Sequence, residues 1–481
     1  MTRDGGRAFE TCALEPVQLS RYRADGLEGV LDTGAWRSLQ ESGRRLAALL
    51  EGRRFWHLNS TAQGGGVAEL LNWELPLAQS AGIDARRLTV SAPTEFFELT
   101  KDIHHLLHES GRPLSSNAKE IYESCLEEAG RSLLDLVEPG DVVVLHDPQP
   151  AGLIPSVIEA GGIPVWRCHV GTDRPGPLAQ SAWDFLRPYV ELAQALVFSR
   201  QSYVWSGLEE QKVRIVQPAI DPLAPKNQPL ADEAVQAILR TAGLVDGPPQ
   251  PEAAAFDRLD GSRARVERKA DVLQEAPLPV GAPIVSQISR WDPLKDSLGV
   301  IDGFTRHVPL TTGAHLVLAG PSTRAVEDDP EGGRMFDQVR ERWQALPHGE
   351  RTRVHIASLP MDEPDENAAM VNALQRHSSV VVQKSLVEGF GLTVVEAMWK
   401  GRPIVASAVG GILEQLEDEV SGLLLKDPHD LESFGRHVDR LLRDAELARR
   451  LGEAAYAKAS REFLPDRSVR DWLAVVETAL A

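Results

Sequence analysis

The chain has 481 residues, 42% hydrophobic and 25% charged, the balance of a soluble globular protein; because single domains stop growing at roughly 250–300 residues, two are expected. A formal net charge of −19 excludes a broad nucleic-acid surface, which needs a basic stripe to displace counterions, and disfavours adhesion to anionic membranes. A phosphate can still bind locally, since a pocket's field is set by its own residues.

Met1 to Leu14 mixes charge and polarity, with no apolar core segment. No apolar run approaches roughly 18 residues, so neither a signal peptide nor a membrane span is expected. Cys12, Cys125 and Cys168 form no disulfide framework and no zinc-type CxxC pair. Together these point to a reduced cytoplasm.

Residues 1–50 read as a helical lead-in, with Leu39, Leu46, Leu49 and Leu50 near one helical face. Arg54–Leu58 is then a short buried strand. It runs into a polar, glycine-rich turn, Asn59 to Gly66, and a helical run from Val67. Strand, glycine turn and helix open a nucleotide-type α/β unit. Further strands are expected at Val142–His146, Pro164–His169, Ala195–Phe198 and Val213–Val216. Strands alternating with helices favour a parallel sheet covered on both faces. The stretch 226–282, with Gly247-Pro248-Pro249 and a charge run from Arg258 to Arg268, reads as a linker or insertion with little core. A second series follows: Pro283–Ile288, His315–Ala319, Val354–Ile356, Ser379–Val382 and Pro403–Ala406. The final helix, Asp466 to Leu480, is amphipathic. The expected division is therefore a first Rossmann-like domain at 1–225, the linker at 226–282, and a second Rossmann-like domain at 283–463. The terminal helix, 464–481, is free to pack back on the first. Two such halves facing across a cleft would trap a ligand at their interface.

The sharpest chemical signal is Glu388-Gly389-Phe390-Gly391-Leu392-Thr393-Val394-Val395-Glu396, after a strand and opening a helix. Its glycines let backbone approach a ligand, and free N–H groups at a helix start suit a diphosphate. Alone, two glutamates would read as a helix cap and a surface residue; the Gly-Phe-Gly setting favours a site. A second signal, Ser289-Arg290-Trp291-Asp292-Pro293-Leu294-Lys295, also follows a strand. Arg290 and Lys295 are placed to neutralise a departing diphosphate, although by themselves they would pass for two solvated bases. Gly65 and Gly66, and the strand-end residues His169, His146 and Asp147, are weaker signals. For the glycines a plain tight turn is an equally good reading, and an isolated histidine usually reads as structural, with His146-Asp147 the weaker signal. A carboxylate group at Asp362, Asp365 and Glu366 reads as a polar loop rather than a metal site. Walker, dinucleotide-fingerprint and GxSxG patterns are missing.

With those residues in view, the chain resembles the retaining GT-B glycosyltransferases of family 4, and within them the trehalose glycosyltransferring synthases. The similarity is carried by HLNSTAQGGGVAE (57–69), PTEFFELTK (93–101), HDPQPAGLI (146–154), WRCH (166–169), PAIDPLAPKN (218–227), SRWDPLK (289–295), DDPEG (328–332) and EGFGLTVVEAMWKG (388–401). The resemblance implies that glucose moves from an NDP-glucose donor (UDP-, ADP- or GDP-glucose) to free glucose, with retention, giving α,α-trehalose and NDP. It implies no obligatory metal or other cofactor, with Mg2+ a stimulant at most. Partners would be the small-molecule donor and acceptor, with neither nucleic acid nor membrane, in a homodimer. By the same resemblance Glu388, Arg290, Lys295 and His169 are catalytic. Gly65, Gly66, Gly389, Phe390, Gly391, Leu392 and Glu396 bind the donor, and Asn59, Glu95, His146 and Asp147 the acceptor. After His169 the first acid comes only at Asp173, and 226–282 is long. A second reading therefore keeps the donor chemistry with another small-molecule acceptor, such as a secondary metabolite or thiol. A third is a non-catalytic nucleotide-sugar-binding protein.

Overall fold

The structure, a computed structural model, describes residues 12–62, 65–323 and 330–481. Most of the N-terminal segment, Gln63 and Gly64 of the glycine turn, and Asp328 and Asp329 of the DDPEG block lie outside the described residues. The chain forms two compact units. Unit 1 comprises the described residues up to Ala24, Leu31–Pro218 and Pro465–Ala481; unit 2 comprises Asp25–Val30 and Ala219–Leu464.

Unit 1 is built on a seven-stranded sheet in the order β1-β3-β2-β4-β5-β6-β7. The strands are β1 (Ala13–Val17), β2 (Arg54–Asn59), β3 (Asp84–Ser91), β4 (Val142–His146), β5 (Ile163–Cys168), β6 (Ala195–Phe198) and β7 (Val213–Ile215). Only β1 runs antiparallel, against β3. Along β4, Val143 and Leu145 join one core cluster while Val142 and Val144 join another. A strand buried on both faces must be apolar at every position, which is why the run Val-Val-Val-Leu was legible. The terminal helix Pro465–Leu480 contributes Trp472, Leu473, Val475 and Val476 to the second cluster, and so belongs to unit 1.

The N-terminal region departs from the all-helical expectation. Its described part contains β1, and the helix begins only at Thr33, where Asp32 caps it through the N–H groups of Gly34 and Ala35. Strand β3 was hidden by the charge of Arg86 and Arg87. Arg87 is almost fully buried, yet it donates to Asn59 Oδ1 (3.0 Å), Asn72 Oδ1 (2.7 Å) and the Thr61 carbonyl (2.7 Å), so the charge is paired with oxygens as burial requires. The cysteines also depart from expectation. Cys12 and Cys125 are paired as a disulfide, while Cys168 is free and buried. A separation of 113 residues left no spacing signal.

Unit 2 repeats the plan in the order β10-β13-β12-β11-β14-β15-β16, with a separate ribbon of β8 and β9. Its strands are β8 (Ala255–Asp257), β9 (Arg263–Arg265), β10 (Asp271–Leu273), β11 (Ile284–Ile288), β12 (His315–Pro321), β13 (Val354–Leu359), β14 (Val380–Gln383), β15 (Ile404–Ser407) and β16 (Leu423–Leu425). The stretch 226–282 is not a linker poor in core. Val235, Ile238 and Leu239 of the helix Asp232–Thr241 join Phe256, Val266 and Leu278 in one cluster with Ile284, Met370 and Leu374. Its apolar residues are few but sit on one helical face, and β10 adds to the sheet edge. Several of its arginines are paired as well. Arg258 meets Glu363 (3.0 Å) and Asp365 (3.2 Å), and Arg268 meets Glu366 (2.5 Å). Asp365 and Glu366 thus open the helix Pro364–His377, where negative charge is favourable. Among the described residues no helix is long and apolar enough to cross a membrane.

Candidate functional site

In an open parallel sheet, ligands bind beyond the carboxyl ends of the strands where the strand order reverses direction. In unit 2 the reversal falls between β11 and β14, and the two strongest motifs follow those two strands.

After β11 the chain makes a short 3-10 turn, Pro293–Lys295, which several bonds hold in place. Asp292 accepts from the Leu294 N–H at 2.8 Å. Gln287 donates to the Lys295 carbonyl at 2.8 Å and accepts from the Lys384 N–H at 3.0 Å, so one amide ties both strand ends together. Asp296 adopts a left-handed backbone (φ 49°), caps the helix Ser297–His307 and pairs with the fully buried Lys384. A buried lysine needs such a partner. Gln287, Lys384 and Asp296 carried no sequence signal of their own, because a single amide, lysine or aspartate has no pattern.

On this frame Lys295 and Glu388 meet. Lys295 Nζ donates to both carboxylate oxygens, at 2.8 and 2.7 Å, with side chains 15% and 9% exposed. Ser385 also donates to Glu388, at 2.9 Å. Arg290, in contrast, is 64% exposed and touches Asp292 at 3.4 Å. The structure therefore brings Lys295 and Glu388 together and leaves Arg290 extended beside them in sequence.

The turn after Glu388 is set by glycine. Gly391 precedes the helix Leu392–Trp399 with φ 89° and no side-chain cap, so the first N–H groups of that helix are left for another acceptor. No heavy atom lies within 4 Å of where a Cβ on Gly389 would stand. Sequence reading missed the support beneath this turn. Gly411 donates to the Gly389 carbonyl (3.1 Å) and Gln415 to the Phe390 carbonyl (2.6 Å). A Cβ on Gly410 would run into the Glu388 carbonyl. Glu396, about one turn into the helix Leu392–Trp399, is buried, with Lys226 at 3.4 Å. Lys400 lies one turn further on, donating to Gln375 (2.6 Å) and Asn227 (3.2 Å). Burial depresses its pKa strongly, against the raising effect of the Glu396 charge.

In unit 1 the reversal falls between β2 and β4. Gly65 (φ 86°) and the exposed Gly66 start the helix Gly66–Ser80, again without a side-chain cap. Glu95 is exposed in the first turn of the helix Thr94–Leu107. Asn59 is buried, with its oxygen taken by Arg87 and its nitrogen by the Thr61 carbonyl; its polar atoms are spent within the fold. His146 is buried with both ring nitrogens engaged, one by His57 (2.9 Å) and one by His169 (3.0 Å). Asp147, in a left-handed conformation (φ 63°), accepts from the His169 backbone N–H at 2.7 Å. Burial pushes its carboxyl up to about 7, more than that N–H and the Arg167 charge pull it down. Burial likewise drives all three histidines well below the usual imidazole range. Nothing in the sequence singles out His57 as a site residue, because a histidine inside an apolar strand reads as core.

Residues 57–205 match the family described as trehalose synthase, N-terminal domain, and residues 269–458 the family described as glycosyl transferases group 1. The chain is 34% identical to a trehalose synthase of Pyrococcus horikoshii, over 90% of this chain and 91% of that protein. It is 33% identical to a trehalose synthase of Rubrobacter xylanophilus, over 90% and 92%. Among solved structures it is similar to an α,α-trehalose-phosphate synthase (UDP-forming) from Burkholderia vietnamiensis (TM-score 0.64, 15% identity, covering 89% of this chain and 99% of that one). It is also similar to a sucrose-phosphate synthase from Thermosynechococcus elongatus (TM-score 0.59, 17% identity, 88% and 97%). The chain thus has the GT-B fold and belongs to the trehalose synthase family of glycosyltransferases.

Proposed function

We propose that this enzyme transfers glucose from a nucleoside-diphosphate glucose to free glucose, with retention of anomeric configuration, giving α,α-trehalose and the nucleoside diphosphate. The observation that carries the reading is the group at the β11/β14 reversal of unit 2: Lys295 on Glu388, Arg290 exposed in the same loop, and an uncapped helix start at Gly391. A diphosphate leaving group gains negative charge as the glycosidic bond breaks, and fixed positive partners lower that barrier. Arg290 supplies a planar fork and Lys295 a point charge, so charge neutralisation needs no resident metal in this reading. The N–H groups of Phe390, Gly391 and Leu392 would hold the phosphates, Glu388 the sugar hydroxyls and Glu396 the ribose.

In unit 1, Gly65 and Gly66 are read as contacts to the donor phosphates and His169 as a contact to the donor sugar. For the acceptor, Glu95 and Asp147 are better placed than Asn59 and His146, whose polar atoms are already bonded within the fold. The chemistry is positioning and electrostatics.

The test is a screen of UDP-, ADP- and GDP-glucose, each with glucose or buffer, with EDTA in one arm and Mg2+ in another. A disaccharide formed with glucose and in EDTA supports the proposal. Nucleotide release without a disaccharide would move it to another acceptor. Failure to bind any of the donors would overturn it.

A further inference from the structure

Strands β2 and β4 of unit 1, and the residue that follows β5, each supply one histidine to a single row. Parallel pairing puts His57 of β2 beside Val144 of β4. His146 lies two residues on, hence on the same face. His146 is in turn beside Arg167 of β5, and His169 again lies two residues on. The row thus climbs from the middle of β2 to the carboxyl end of β5. Its two contacts are His57 Nδ1 to His146 Nε2 at 2.9 Å and His146 Nδ1 to His169 Nε2 at 3.0 Å. The His146 and His169 rings lie nearly parallel, at 16°.

Each contact holds one proton. Two protons leaving His146 would make it an imidazolium, which its burial opposes; two arriving would require an imidazolate. Neutral rings allow only two arrangements, each running one way. In one, His57 Nδ1–H donates to His146, and His146 Nδ1–H donates to His169. In the other, His169 Nε2–H donates to His146, and His146 Nε2–H to His57, which must then carry its proton on Nε2. That Nε2 is buried, with no hydrogen-bond partner among the described residues. Arg167, whose charge acts on His57, has Glu74 as its ion-pair partner at 3.5 Å and lies over Trp472, against which His57 also packs. A buried N–H aimed at no acceptor beside a cation is costly, whereas a lone pair there is favourable. The first arrangement is therefore selected.

We infer that His57 and His146 are positioning residues, which fix His169 as the Nδ1–H tautomer and so make it a hydrogen-bond donor, not an acceptor, toward a hydroxyl oxygen of the donor sugar. The sugar contact rests on the proposed role of His169; the tautomer does not. An imidazole fixed in this way orients its ligand without acting as a base. Arg87, Arg167 with its partner Glu74, and Asp147 are charged or titratable groups around the row.

The experiment uses the intact enzyme with 15N-labelled histidine. Two-bond 1H–15N correlation at neutral pH reads the tautomer of each ring, with signals assigned by their loss in His57→Phe and His169→Gln. The expected result is Nδ1–H on all three rings. Nε2–H on His169 in the wild type would overturn the inference without recourse to any variant. In the second arm, His57→Phe keeps the ring volume and removes the donor, and His57→Asn restores an N–H at the Nδ1 position. His57→Phe should lower kcat/KM for the nucleotide sugar by roughly 3- to 10-fold, the size of one hydrogen bond, and His57→Asn should recover most of it. Nδ1–H tautomers with an unchanged kcat/KM in His57→Phe would overturn the sugar contact, and with it the role of His169, while leaving the row itself in place.

Discussion

The carboxyl ends of the two sheets solve different problems with the same topology. In unit 2 the reversal carries full charges held in pairs: Lys295 on Glu388, Lys384 on Asp296, Lys226 near Glu396. In unit 1 the corresponding strands carry imidazoles that burial keeps neutral, beside a carboxyl raised to about 7. Charge suits a diphosphate, which brings its own negative charge and needs a compensating field. Neutral dipoles suit sugar hydroxyls, which an unpaired charge would bind no better and which need direction. The difference teaches that a doubled fold need not double its chemistry. The backbone sets where side chains converge, and their protonation decides what they hold.

The largest expected effect comes from breaking the central pair of unit 2. Lys295→Met strands a buried carboxylate, and breaking a buried pair costs about 3–5 kcal/mol. The melting temperature and turnover should both fall. The double variant Lys295→Met/Glu388→Gln should recover the melting temperature but not the turnover; calorimetry and kinetics on the cycle separate the two roles. Recovery of both would remove the pair from the chemistry. Next is Arg290→Ala. With its side chain exposed, the fold should be untouched, while kcat drops by about 10²–10³-fold, as when one preorganised donor is removed. Near-normal turnover would release Arg290 from the leaving group.

A smaller effect is expected from Gly410→Ala. The added methyl overlaps the Glu388 carbonyl, a backbone group that must then shift, and φ 52° adds a further cost of about 1–2 kcal/mol for any L side chain. Nucleotide-sugar affinity, measured calorimetrically, should weaken, and the melting temperature should fall with it because the backbone under Glu388 must move. Unchanged affinity would show that this turn tolerates displacement.

The smallest effect sharpens the contrast between the units. The three depressed histidines of unit 1 bind fewer protons folded than unfolded. Their contribution is fully present above the free imidazole pKa of ~6.5 and is lost as pH falls below it. Asp147, raised to about 7, has the opposite sign but is one group against three. Unit 2 has four histidines depressed less far, His315, His355, His377 and His437, with His355 brought down to about 4 by burial. Between pH 7 and 5, pulse proteolysis mapped by mass spectrometry should show unit 1 losing protection before unit 2. The reverse order would contradict the burial of the row.

Much of this was legible in the sequence, for identifiable reasons. Strands such as β4 and β14 announce themselves because burial on both faces demands unbroken apolar runs. The Glu388–Glu396 segment is legible because its glycines and glutamates are close in sequence as well as in space. What escaped depends on distant partners. β3 was hidden by Arg87, whose charge is satisfied by Asn59, Asn72 and Thr61. The stretch 226–282 looked loose because its core partners, Ile284, Met370 and Leu374, come later in the chain. The histidine row was half seen, since His146 and His169 end strands whereas His57 lies inside one. That Asn59 and His146 are bonded within the fold could be learned only from side-chain geometry.

The most direct test of the central claim follows one labelled carbon. The enzyme is given unlabelled nucleoside-diphosphate glucose and glucose labelled with 13C at C1, and the product is read by NMR. The account predicts a disaccharide with one labelled and one unlabelled anomeric carbon, both α and joined 1,1. A labelled carbon left in free glucose while nucleotide is released would contradict glucose as acceptor, and a β configuration at the transferred sugar would contradict retention.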